Sequence, residues 1–217
     1  MHRRSARPKS ASPSAPRPTE AGMDAAGHLE SVLSVAHDYN HYKVTFRPKV
    51  VDSRLLACED GQQKYSVLWL NNVLFVNAAL KSEYEAHDFP VGQRRWYNIA
   101  HVISAQEIVS YGEKDERALP PGQGNGFIWR LQSIARYEER DGGVYGELEA
   151  IGLTRDIPVS LRWVTSPLVA RLSRSALATS LRQTREGVAA SAREPRALAS
   201  CGARDFRRGS AVASEDD

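Results

Sequence analysis

The stretch between positions 124 and 155 constrains the fold of this 217-residue chain more than any other segment. An Asp-Gly pair at 141–142 stands between two arms rich in β-branched and aromatic residues. Such a pair is typical of a tight type I′ turn, so the stretch predicts a long antiparallel hairpin. A turn centred there pairs Arg136 with Glu147, Ala135 with Leu148, Ser133 with Ala150 and Leu131 with Gly152.

One face of this predicted hairpin places bulky side chains opposite very small ones. Phe127, Trp129, Leu131 and Tyr137 share that face, and Gly146, Ala150 and Gly152 lie across from them. The opposite face brings unlike charges together as cross-strand pairs. A sheet face of the first kind either lets a helix approach closely or leaves room for a ligand, and the pattern leaves both alternatives open.

The remaining elements predict an α+β fold. Apolar spacing indicates a first helix from Leu29 to about Tyr42, and alternation indicates strands at 49–58, 64–70, 73–89 and 95–109. Asn71-Asn72 predicts a turn, and 111–126 predicts a loop. A short helical turn over 161–172, interrupted by Pro167, precedes a last amphipathic helix that ends near Ala192. Consecutive strands flanked by helices favour a curved sheet that covers one long helix.

Composition limits the domain count and the class of partner. The chain is 41% hydrophobic and 25% charged, with a net charge of +3, which is ordinary for one globular domain. Residues 1–26 are rich in Pro, Ser, Ala and Arg and predict a disordered tail, 27–192 form the domain, and 193–217 predict a second tail. The basic N-terminal segment lacks interleaved aromatic residues, so we expect no nucleic acid as partner.

The cysteines and the hydropathy indicate an intracellular protein without an integral membrane segment. Cys58 and Cys201 form neither a disulfide framework nor a metal cluster, which favours a reducing compartment and therefore the cytoplasm. No window approaches the roughly 20 apolar residues that span a bilayer. No motif predicts a cofactor, and no pattern predicts the oligomeric state.

Three segments resemble bacterial members of the START-like superfamily, which includes polyketide cyclase and lipid-transfer domains. They are residues 38–56, 125–158 and 171–188, and the resemblance extends roughly from Leu29 to Ser191. It implies a helix-grip fold, in which a curved antiparallel sheet encloses an apolar cavity against a long C-terminal helix. It implies no particular ligand or reaction. Such folds begin with a strand before the first helix, and because that stretch is rich in Pro, Ser, Ala and Arg here, we expect the first strand to be missing.

The predicted ligand is a hydrophobic small molecule, of lipid or polyketide type, in that cavity. Ser133 and the hydroxyl of Tyr137 would supply the few polar groups that orient it. Plain core packing is the alternative for the same side chains. The candidate ligand-binding residues are Tyr97, His101, Trp129, Leu131, Ser133, Tyr137, Leu148, Ala150, Leu177 and Leu181.

Two further interpretations remain open: a cyclase or lyase-type enzyme, and a structural or interaction module. The enzyme would use cavity groups such as His101 and Tyr97, although the strand at 95–109 allows either of two faces to point inward. No Ser or Cys nucleophile motif occurs. His37 and His41 have helical i,i+4 spacing but no third ligand, so we expect a solvent-facing helix end rather than a metal site. His87-Asp88 predicts a surface turn.

Overall fold

The predicted hairpin is present in the computed structural model, which describes residues 19–26, 29–59, 61–73, 76–121, 123, 130–153 and 159–192. Its strands pair Arg136 with Glu147 and Ser133 with Ala150, as the turn position predicts. Asp141 and Gly142 have φ values of 53° and 80°, the positive pair that a type I′ turn requires. The register prediction is therefore confirmed.

The order of elements is that of a curved antiparallel sheet with a long C-terminal helix. The elements are β1 (Thr19–Ala26), α1 (Leu29–Ala36), a 3₁₀ turn (Tyr39–His41), α2 (Tyr42–Thr45), β2 (Val50–Glu59), β3 (Gln62–Val73), β4 (Val76–Val91), β5 (Arg95–Val109), β6 (Arg117–Ala118), β7 (Arg130–Arg140), β8 (Gly143–Leu153) and α3 (Val159–Ser191). The strands lie in the order β1-β8-β7-β5-β4-β3-β2, and the two-residue β6 pairs with β5. The predicted α+β helix-grip architecture is confirmed.

A first strand is present, contrary to the expectation that it is missing. β1 pairs antiparallel along β8, from Thr19 opposite Ala150 to Ala26 opposite Gly143. Its sequence of small and polar residues has little β propensity. The strand pairs with the free backbone edge of β8, and α3 runs close to it. Contacts with the rest of the fold therefore stabilise a strand that the local sequence does not favour. The rest of the predicted tails, 1–18 and 193–217, lies outside the described residues.

Three other local predictions need correction. The first helix ends at Ala36 and is followed by the 3₁₀ turn and α2 rather than continuing to Tyr42. Asn71 and Asn72 lie within β3, where they pair with Ala78 and Asn77 and form no turn. The backbone of α3 is continuous through Pro167, although a proline inside a helix removes one hydrogen bond.

Two groups of buried side chains lie between the helices and the sheet. The first core cluster joins α1 and α3 to β5, β7 and β8, and its buried members are Leu29, Val32, Leu33, Val35, Trp96, Tyr137, Val144, Leu181 and Val188. The second core cluster joins the 3₁₀ turn to β2, β3, β4 and β5, and its buried members are Tyr39, Val50, Tyr65, Val67, Tyr84, Ala86 and Ala100. The concave face of the sheet is the one that these clusters cover.

A glycine lets α3 approach the N-terminal helices closely. A Cβ at Gly187 would lie 3.0 Å from Cγ1 of Val35 in α1 and 3.3 Å from Cγ2 of Thr45 in α2. Real Cβ contacts are rarely so short, so a larger residue would push the helices apart.

The bonding state of Cys58 also differs from the prediction. Cys58 is disulfide-bonded, whereas the low cysteine count predicted no disulfide. A count cannot reveal which residues the fold brings together, so the cysteines no longer support a reducing compartment. Among the helices that the structure describes, none has the length and apolar character needed to cross a membrane.

Candidate functional site

The orientation of β5 decides which of the predicted ligand-binding residues reach the concave face. Trp96 and Ala100 are each only 3% exposed and belong to the core clusters. Since side chains alternate along a strand, Tyr97 and His101 point to the opposite, convex face. His101 is exposed there, and Tyr97 stacks on Phe89 with ring centroids 4.7 Å apart.

The prediction that Tyr97 and His101 line the concave side is therefore wrong. Each face of β5 carries apolar side chains, so the pattern alone does not decide between them. On the concave side, Nε1 of Trp96 donates a hydrogen bond to Asp88. The enzyme alternative loses the two groups on which it was based.

The inward set of the hairpin does lie on the concave face. Tyr137 is buried opposite Gly146, next to Trp96. Further from the turn, Leu131, Ser133, Leu148 and Ala150 are half-buried. Trp129 lies outside the described residues.

The two candidates on α3 differ in their burial. Leu181 is 3% exposed and packs in the first core cluster, whereas Leu177, one turn earlier, is half-buried. Side chains of α3 before Arg171 are not described. The described part of α3 therefore closes the concave face at Leu181 and closes it less completely at Leu177.

A column of stacked tyrosines lines the other side of the concave face. Tyr39 stacks on Tyr65 at 4.2 Å between centroids, and Tyr65 stacks on Tyr84 at 5.0 Å. Nε1 of Trp69 donates to the hydroxyl of Tyr84 at 3.1 Å. Burial raises the pKa of Tyr84 to about 12 although this hydrogen bond opposes the rise, and burial with the nearby charge of Asp88 raises the pKa of Tyr137 to about 12. These phenols are therefore neutral near pH 7 and can donate hydrogen bonds.

The carboxylate of Asp88 organises a polar cluster at the end of the sheet near α1. Its side chain is 0% exposed. The donors are Nε2 of His37 (3.1 Å), Nε1 of Trp96 (3.1 Å) and Nδ2 of Asn98 (2.8 Å) to Oδ1, and Nε2 of Gln63 (2.7 Å) to Oδ2. Burial alone would raise the pKa of Asp88, but the charge of His37 and the hydrogen bonds from His37, Asn98 and Trp96 outweigh it and lower the pKa. We call these five side chains the Asp88 cluster.

The Asp88 cluster corrects two sequence predictions. His37 is 5% exposed rather than solvent-facing, and Asp88 lies in β4 rather than in a surface turn. The signals were present: His37 follows Leu29 and Leu33 at steps of four, which is the buried face of α1, and Asp88 continues the inward alternation of β4. His41 does face solvent, where its Nδ1 bonds to Asp38 at 2.6 Å.

The Asp88 cluster joins α1 to the sheet around a buried carboxylate. Nδ1 of His37 and Oε1 of Gln63 have no hydrogen-bond partner and are sealed from solvent. The cluster therefore exposes neither of these atoms to solvent. Within the described ranges, no three His, Cys, Asp or Glu side chains gather to hold a metal ion.

Several solved structures share this architecture. The STAR-related lipid transfer protein of Xanthomonas axonopodis superposes with a TM-score of 0.58 at 16% identity, over 78% of this chain and 84% of that one. The Zhui aromatase/cyclase of Streptomyces sp. R1128 gives 0.51 at 15% identity, over 82% and 96%. A START superfamily protein of Mycobacterium smegmatis gives 0.50 at 10% identity, over 80% and 97%. No protein-family model matches the sequence, and no curated protein is significantly similar to it. At these identities the likeness establishes the fold, which is the START-like helix grip.

Proposed function

We propose that this chain, which has the START-like helix-grip fold, binds a hydrophobic small molecule between the concave face of its sheet and α3. The observation that carries the proposal is the uneven burial of that face. Ser133, Ala135 and Ala150 stay half-buried in the middle of the sheet, whereas Tyr137 and Val144, nearer the hairpin turn, are 8% and 0% exposed. If this face only packed against protein side chains, we would expect it to be buried along its whole length.

The chemistry of the half-buried part suits an apolar ligand with one or two polar groups. Ser133 and Ala150 are opposite each other and small, so they leave space above the sheet. Leu131 and Leu148 supply apolar walls, and the hydroxyl of Ser133 supplies a hydrogen-bonding group, which is the usual composition of a small-molecule site.

The fold neighbours support the same class of ligand. The Xanthomonas protein is described as a lipid transfer protein and the Streptomyces protein as an aromatase/cyclase. Binding without reaction is the form that we propose here, because Tyr97 and His101 face away from the site and the His37–Asp88 pair is buried.

The test compares two neighbouring substitutions in β8 that point to opposite faces. Ala150→Trp fills the space on the concave face, and Ile151→Trp places the same side chain on the convex face, where Ile151 is 43% exposed. Titration with the fluorescent probe N-phenyl-1-naphthylamine should give at least a roughly tenfold weaker affinity for Ala150→Trp, which is about 1.4 kcal/mol, and an unchanged affinity for Ile151→Trp.

Native mass spectrometry of the wild-type chain provides an independent check for co-purified apolar molecules. If the wild type binds no probe and carries no such molecule, the concave side is filled by protein and the chain is a structural or interaction module. Equal effects of the two tryptophan substitutions would place the probe elsewhere and would also reject the site.

A further inference from the structure

Four arginines form a stripe along one flank of α3. They are Arg171, Arg174, Arg182 and Arg185, and all four are exposed. At 3.6 residues per turn, separations of three, eleven and fourteen residues place them within an arc of about 80°, spread over about 21 Å of helix. The centre of the stripe lies roughly a quarter turn around the helix from the centre of the buried set Leu181, Thr184 and Val188, and Arg174 is the arginine nearest to that set. We call this set the arginine stripe.

The charges of the arginine stripe are largely uncompensated. Arg182 forms an ion pair with Glu186 at 3.6 Å, and both side chains are more than half exposed. No other described residue forms an ion pair with Arg171, Arg174 or Arg185. On the sheet, by comparison, Arg54, Arg95 and Arg136 each pair with a carboxylate, whereas Arg130 forms no ion pair with a described residue.

Packing does not account for the stripe. Like charges three residues apart, such as Arg171 with Arg174 and Arg182 with Arg185, repel each other and slightly destabilise a helix. Their alignment on one flank instead creates a rod of positive charge that fits an extended anionic surface.

We propose that the arginine stripe docks the protein on an anionic lipid bilayer. A nucleic acid is the competing anionic partner. The side chains between the arginines on this flank include Ser175 and Ala178, and no aromatic residue is available there to stack on the bases of a single strand. Duplex DNA, which is bound through its phosphates, is tested directly as a competitor of the vesicles. A straight row of guanidinium groups matches a plane of lipid phosphates and carboxylates. Each arginine near such a surface increases the binding affinity about fivefold.

The choice of a bilayer rests on the proposed function. An apolar ligand partitions into lipid, and α3 also packs over the concave face through Leu181 and Val188. Docking along the arginine stripe would therefore hold the proposed binding site next to the membrane from which such a ligand is collected.

The test is co-sedimentation of the full chain with phosphatidylcholine–phosphatidylserine vesicles and with vesicles of phosphatidylcholine alone. A matched control removes four exposed arginines from the sheet and its turns, so that net charge changes equally. The stripe variant carries Arg171→Gln, Arg174→Gln, Arg182→Gln and Arg185→Gln, and the control carries Arg54→Gln, Arg94→Gln, Arg95→Gln and Arg130→Gln.

We expect the wild type and the control to bind phosphatidylserine vesicles in a salt-sensitive manner, and the stripe variant to bind more than roughly a hundredfold more weakly. Circular dichroism shows whether both variants are folded. The proposal is overturned if the wild type does not prefer the anionic vesicles, if the two variants lose binding equally, or if duplex DNA displaces the vesicles at equal phosphate concentration.

The probe titration separates this proposal from the proposed function. Without vesicles, the stripe variant should bind N-phenyl-1-naphthylamine as the wild type does. Vesicle binding by a wild type that takes up no probe would reject the ligand site and leave the membrane surface standing. Probe binding without vesicle binding would reject the membrane surface and support the ligand site.

Discussion

Replacing Asp88 by alanine should destabilise the protein by about 3–5 kcal/mol, because several buried donors lose their acceptor and are left unsatisfied. Four side chains donate to this carboxylate, at distances between 2.7 and 3.1 Å, and its own exposure is 0%. The separate losses do not add, because the donors share one acceptor group. Domains of this kind have a total unfolding free energy of about 5–15 kcal/mol, so the loss is a large part of it.

Asp88→Asn distinguishes the charge from the hydrogen bonds. The amide oxygen can still accept from His37, Trp96 and Asn98, and the amide of Gln63 can turn so that its unpartnered Oε1 accepts instead of Nε2 donating. We therefore expect a cost of about 1–2 kcal/mol, which is that of losing the charge-assisted part of these bonds.

Urea unfolding, followed by circular dichroism and tryptophan fluorescence, measures both values. The matched control is Asp52→Ala, which removes a carboxylate that is 40% exposed and paired with Lys43 and Arg54. That change should cost less than about 1 kcal/mol. If Asp88→Ala cost no more than Asp52→Ala, the Asp88 cluster would not hold α1 on the sheet and the reasoning would be refuted.

Three further predictions concern packing and pH. Gly187→Ala should destabilise by about 1–3 kcal/mol, since the new Cβ would lie 3.0 Å from Cγ1 of Val35. The penalty should be smaller in a Val35→Ala background, and additive effects in a double-mutant cycle would contradict the contact. Because the pKa of Asp88 is lowered in the folded protein, its charged form stabilises the fold above the ordinary aspartate pKa of about 3.9, and this stabilisation is lost as the pH falls further. Urea midpoints measured between about pH 5 and pH 2 should therefore fall less steeply in Asp88→Asn than in the wild type. Identical slopes would show that Asp88 does not contribute to the pH dependence. Tyr84 and Tyr137, with pKa values of about 12, should remain protonated when ordinary tyrosines ionise near pH 10. An absorbance titration at alkaline pH in which all tyrosines ionise together near pH 10 would contradict their burial.

The hairpin could be predicted because its information is local. The Asp-Gly pair adopts the two positive φ values that only a few residues tolerate, and every cross-strand pair from Leu131–Gly152 to Arg136–Glu147 follows from that turn by counting. The helix-grip architecture was predictable for a related reason, since the order of strands and helices is visible along the chain.

The orientation of β5 and the presence of β1 depend on distant residues instead. In β5, the pattern of Trp96 and Ala100 competes with that of Tyr97 and Ile99, and the outcome is set by Asp88 on β4 and His37 on α1. β1 forms because an unpaired edge of β8 is available, whatever its own propensity. No local pattern contains either fact, so the inward face was predicted correctly for the hairpin and incorrectly for β5.

The bulky-against-small pattern of the hairpin has two outcomes at different positions along the same face. Near the turn, Gly146 lies opposite Tyr137 and is buried, because Trp96 and the helices close over this pair. Further along, Ala150 lies opposite Ser133 and stays half-buried. One pattern can therefore give both close helix packing and room for a ligand, at different positions. The helices pack against the sheet at the end near the turn. Under our proposal, this packing holds α3 away from the rest of the face, where a ligand can bind.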